Sequence, residues 1–95
     1  NRTDIGALWE NYLVSERVKY LAYQQKWVNN WYWRTTEQQE IDYVEEENGQ
    51  LSAYEFKWNP KAKGSIPNSF KKTYPTANIN IIHRENFEQF LGVQG

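Results

Sequence analysis

Residues 41–58 read IDYVEEENGQLSAYEFKW, and the two runs that flank Asn48-Gly49 decide how the chain folds. Asn-Gly between alternating runs is the strongest short signal for a hairpin closed by a two-residue type I′ turn. That turn sets the register, so facing residues have numbers that sum to 97. Asp42 then faces Glu55, Val44 faces Ala53, Glu46 faces Leu51 and Glu40 faces Lys57. Side chains alternate with period two, so these four pairs share one face. That face is apolar near the turn and ends in a cluster of Glu40, Asp42, Glu55 and Lys57. The other face carries Ile41, Tyr43, Tyr54, Phe56 and Trp58 and reads as buried.

Directly opposed carboxylates repel. Asp42 opposite Glu55 makes physical sense around a cation. Lys57 is one candidate. A hard divalent ion such as Mg²⁺ is another, since it takes one or two carboxylates and keeps several waters. The competing reading is a charged hairpin end in water, with Lys57 paired to Glu40 and Glu55 in weak surface contacts. The run Glu45-Glu46-Glu47 reads as a solvated tip.

Outward from the hairpin, residues 4–25 read as a helix, with Ile5, Leu8, Trp9, Tyr12, Leu13, Leu21 and Ala22 at three- and four-residue spacing. Thr3 or Asp4 caps its start, and Gly6 in the first turn leaves room for a close neighbour. The aromatic stretch 27–35 is strand-like. Residues 59–67 form a Pro/Gly-broken loop, 68–74 a short helix capped by Asn68 or Ser69, 77–83 a strand, and ENFEQFL a last helical turn. The order α-β-β-β-α-β with a helix at the end gives an α/β fold around a mixed sheet.

The 95 residues make one domain, 1–95, and the start at Asn1 together with the lack of any Met marks a fragment of a longer protein. Aromatics are 17% of the chain, with five Trp, enough to build a core despite a polar average. Trp27, Trp31, Trp33 and Trp58 read as core. The net charge of −1 is neither a disordered acidic tail nor the basic excess of a protein held on nucleic acid by charge alone. The absence of cysteine excludes disulfides, thiolate nucleophiles and Cys-type zinc sites, and fits a cytoplasmic location. No apolar run approaches the roughly 18 residues of a membrane span. His83, the one histidine, reads as structural.

Asp, a short hairpin and then Glu-x-Lys, here EIDYV and YEFKW, resembles the signature of the PD-(D/E)xK nuclease superfamily. GALWENYLVSE (6–16), YWRTTEQQEIDYV (32–44), LSAYEFKW (51–58) and FKKTYPTANINII (70–82) follow in order. Together they resemble the C-terminal domain of unknown function of bacterial and archaeal AAA-type ATPases, over nearly the whole chain. The resemblance implies a restriction-endonuclease-like fold behind an N-terminal ATPase part, the partner expected within the same protein. It implies Asp42 and Glu55 as ligands of Mg²⁺ or Mn²⁺, and Lys57 as the group that orients the attacking water. Glu10, in GALWEN, matches a first-helix acid that supports the metal through water; a plain surface contact accounts for it equally well. Ile41 stands where the motif name has Pro. No P-loop motif occurs, so ATP is not expected to bind here. DNA contact falls to Lys61, Lys63, Lys71 and Lys72, with Tyr74 as a stacking surface; a solvated loop and helix face is the competing reading. Two functions follow: a Mg²⁺-dependent nuclease-like domain acting on DNA, or a catalytically inactive interaction module of the ATPase, onto which any exposed Trp would dock.

Overall fold

In the computed structural model, which describes residues 2–37, 39–64 and 66–92 and their side chains from Gly6 onward, the elements come in the expected order. They are α1 (Arg2–Tyr23), β1 (Asn29–Arg34), β2 (Glu40–Glu47), β3 (Gln50–Phe56), α2 (Asn68–Thr73), β4 (Asn78–Ile82) and α3 (Phe87–Phe90). One mixed sheet has the order β1-β2-β3-β4, antiparallel through β3 and parallel between β3 and β4. A parallel neighbour needs a crossover, and the segment carrying α2 supplies it.

The hairpin forms as its turn chemistry dictates. Asn48 and Gly49 both take positive φ, 54° and 84°, as a type I′ turn requires. The sum-of-97 ladder runs from Glu47↔Gln50 to Tyr43↔Tyr54 and stops there. On the other side of β2, Trp31 faces Val44 whereas Trp33 faces Ile41, a bulge that sets Asp42 and Tyr43 of β2 against Tyr32 of β1. The bulge overturns the expected face of Ile41. Instead of joining Tyr43, it packs with Val44, Ala53, Ile66 and Phe70 under α2. Tyr43 packs on the opposite side with Leu13, Phe56, Ile82, Phe90 and Leu91, beneath α1 and α3. The sheet is therefore covered on both faces.

On α1 the buried stripe runs through Trp9, Leu13, Val14 and Leu21. Leu8 and Tyr12, expected in the core, are 67% and 49% exposed, and Ala22 is exposed as well. The spacing rule fitted two stripes of this helix, and only one faces the sheet. A Cβ at Gly6 would meet nothing within 4 Å, so no segment approaches there. The caps assigned to Thr3 and Asp4 and the core role of Ile5 lie outside the described side chains. At the far end Gln25 takes the left-handed conformation (φ 57°), and Lys26 N–H donates to Leu21 C=O, which closes the helix without a glycine. α2 is preceded by Pro67 at its N-cap, with no side-chain cap. The hydroxyl of Ser69 bonds Gln39 instead, at 2.9 Å.

Three of the four tryptophans assigned to the core are not there. Trp27 is 94% exposed, Trp58 57% and Trp31 40%; Trp33 alone packs inward, edge-on to Phe70. β1 is an edge strand whose residues are nearly all exposed, so its aromatics lack cover.

Candidate functional site

β2 starts and β3 ends at the same end of the sheet, which brings Asp42 and Glu55 together without a long loop. Where the hairpin ladder stops, Asp42 Oδ2 accepts the Phe56 backbone N–H at 2.9 Å. The carboxylate thus replaces a backbone acceptor at the bulge and is held by the strand it faces. The direct Asp42–Glu55 ladder pair expected from the register is replaced by this contact. The two acids remain electrostatic neighbours.

Lys57 Nζ lies 3.5 Å from Glu55 Oε1, with the glutamate side chain 6% exposed and the lysine 37%. Glu40, expected opposite Lys57, pairs instead with Arg34 at 3.2 Å across β1 and β2. Burial raises the Asp42 pKa above its ordinary value. The Phe56 N–H opposes the rise, the charges of Glu55 and Glu40 add to it, and Lys57 opposes it. Glu10, on the half-buried side of α1, is raised first by burial and then by Asp42, with Lys57 opposing. Glu10, Asp42, Glu55 and Lys57 therefore share one neighbourhood, three acids around one lysine.

The other candidates do not join it through any described contact. Lys61 and Lys63 are exposed on the loop after β3, and Lys71 and Lys72 are exposed in the last turn of α2. Tyr74 lies against Phe70 with ring centroids 5.1 Å apart and planes tilted by 49°, and it is 39% exposed. His83 orders the turn between β4 and α3, its Nδ1 accepting the Glu85 N–H at 3.1 Å.

One charged pair escaped the sequence reading. Glu45, assigned to a solvated tip, is 6% exposed. Arg17 grips it in a two-pronged contact, Nε to Oε2 at 2.7 Å and Nη2 to Oε1 at 3.0 Å. Arg17 also donates to the Phe90 carbonyl at 2.8 Å and lies over the Phe90 ring. The signal was present: residue 17 falls between Leu13 and Leu21 on the buried stripe of α1. Period two likewise puts Glu45 on the face of Tyr43. Glu46 is structural too, accepting Gly49 N–H and Asn29 Nδ2–H, both at 2.7 Å.

Among the described residues no group of three or more His, Cys, Asp or Glu side chains is arranged to hold a metal ion. The donor chemistry of Asp42 and Glu55 still fits a hard divalent ion, which needs only one or two carboxylates beside its waters. Among the described helices none is long and apolar enough to cross a membrane.

The fold and the cluster define an α/β domain whose mixed four-stranded sheet gathers acids and a lysine at one end. The profile of the domain of unknown function DUF4143 matches residues 5–92, and the chain belongs to that family. Comparison with curated proteins and with solved structures gives no match.

Proposed function

We propose that this is a nuclease-like domain of the restriction-endonuclease type, the C-terminal accessory domain of an AAA-type ATPase, acting on DNA phosphodiesters. The observation that carries this reading is the meeting of Glu10, Asp42, Glu55 and Lys57 at one end of the sheet. The succession α-β-β-β-α-β with a parallel last pair also fits such a core. Asp42 and Glu55 are the residues that would hold Mg²⁺ or Mn²⁺, and Glu10 would reach it through water. When bound, such an ion lowers the pKa of its water and offsets charge on an attacked phosphate. Lys57, 3.5 Å from Glu55, would orient the attacking water. Lys61 and Lys63, which follow the site in the chain, and Lys71 and Lys72 in the last turn of α2 would contact phosphates.

The test is cleavage of plasmid and short linear DNA by this chain with Mg²⁺ or Mn²⁺. Groups that act as one unit lose activity together, so Asp42→Ala, Glu55→Ala and Lys57→Ala should each abolish cutting. Activity that survives Asp42→Ala, or persists in chelator, would sink the reading. The second reading, an inactive module that docks on the ATPase part, has its own support. Tyr23, the last residue of α1, and Trp27, just past its end, are 90% and 94% exposed. Failure to cut any DNA, with binding to the ATPase part lost in Trp27→Ala, would favour it.

A further inference from the structure

Trp58 is the exposed aromatic nearest the cluster in the chain, directly after Lys57. Its indole is 57% exposed, yet it is firmly held. Trp9 meets it edge-on with ring centroids 5.2 Å apart at 88°, and Trp9 is itself pinned by Phe56 and Phe87. The backbone is fixed as well. Lys57 N–H donates to Ile82 C=O at 2.9 Å and Arg84 N–H to Trp58 C=O at 3.3 Å, so the parallel pairing of β3 and β4 extends past both strands. Arg84 then lies over one part of the Trp58 ring, its guanidinium carbon 5.9 Å from the centroid.

A solvent-facing indole that has already lost its rotamer freedom is a stacking surface that costs little further entropy to use. A guanidinium beside it supplies the positive charge that the adjoining phosphate needs. Two consecutive pairs tie this surface to the cluster: Trp9 precedes Glu10, and Lys57 precedes Trp58.

We propose that Trp58, flanked by Arg84, is the stacking platform for an unpaired DNA base, so that the domain engages single-stranded or frayed DNA in preference to closed duplex. This inference rests on the nuclease reading of the cluster. A base inside a duplex already has stacking neighbours on both faces, so only an unpaired one gains from the platform.

The test measures binding of a fluorescent dT oligonucleotide and of a blunt duplex of equal length, by anisotropy in chelator. The chain should bind the single strand more tightly. Trp58→Leu should weaken single-strand binding about tenfold or more, the scale of one base–aromatic stack, and leave the duplex nearly unchanged. Trp58→Phe should retain most of the affinity. Equal single-strand affinity for Trp58→Leu and the parent would overturn the platform. Photo-cross-linking of a 5-iodouracil oligonucleotide to the unaltered chain gives a readout independent of any variant's folding. An adduct at Trp58 is expected, and adducts found only elsewhere would count against it. If the chain binds neither DNA, the platform and the nuclease reading fall together. If it cuts DNA in an Asp42-dependent way while Trp58→Leu binds normally, the platform alone fails.

Discussion

The two buried charge clusters of this domain are built on opposite rules. Between α1 and the sheet, Arg17 and Glu45 match one to one in a two-pronged contact, with side chains 14% and 8% exposed and the remaining arginine donors turned to Phe90 C=O and Tyr54 Oη. At the other end Glu10, Asp42 and Glu55 gather near Lys57, and the first two carboxyls have pKa values raised chiefly by burial, Glu10 further by the charge of Asp42, and Asp42 further by the charges of Glu55 and Glu40. A charge that only holds structure is matched where it is buried. Carboxyls with raised pKa values that are grouped in this way mark functional-site candidates.

The contrast breaks most visibly by mutation. Arg17→Ala leaves Glu45 buried without its partner and should cost about 3–5 kcal/mol in urea unfolding. The paired replacement Arg17→Met with Glu45→Leu should recover most of that loss. Lys57→Ala, by comparison, removes a half-exposed contact and should change stability by no more than about 1 kcal/mol. If Lys57→Ala were as damaging as Arg17→Ala, the cluster would be structural and the contrast false.

A divalent ion should act on one cluster only. Mn²⁺ at ten times its dissociation constant should stabilise the parent by about 1.4 kcal/mol through binding linkage. It should leave Asp42→Asn and Glu55→Gln nearly unmoved and stabilise Arg17→Met/Glu45→Leu as much as the parent. Equal stabilisation of all four proteins would indicate a nonspecific salt effect.

How far the sequence could be read follows the same division between local and distant causes. Asn48-Gly49 encodes its own turn, so the hairpin and its register down to Tyr43↔Tyr54 were legible. The convergence of Asp42, Glu55 and Lys57 followed from that register. The bulge opposite Trp31 and Trp33 carries no glycine or proline to announce it, and it moved Ile41 to the other core and Asp42 onto the Phe56 N–H. Whether a tryptophan is covered depends on where helices land, which no local pattern reports: Trp27 lies in the connection between α1 and β1, Trp31 on the edge strand, and Trp58 past the end of β3. Glu45 was misread because its neighbours Glu46 and Glu47 look alike in sequence. Only parity together with the α1 stripe separates it from them.

The smallest effect tests the electrostatic claim most directly. Asparagine at position 42 keeps an oxygen that can accept the Phe56 N–H while removing the charge. A carboxyl whose pKa is raised on folding holds its proton more tightly in the native state. It therefore opposes folding above the raised value, and that opposition fades as pH falls through it toward the ordinary carboxylate range. Metal-free Asp42→Asn should be more stable than the parent at neutral pH by up to about 1 kcal/mol, the scale of a cross-strand like-charge contact. The advantage should shrink as both proteins are taken into acid. A variant less stable than the parent at pH 7, with the deficit vanishing in acid, would show Asp42 to be an ordinary paired carboxylate and would contradict the reading of this end of the sheet as a loaded site.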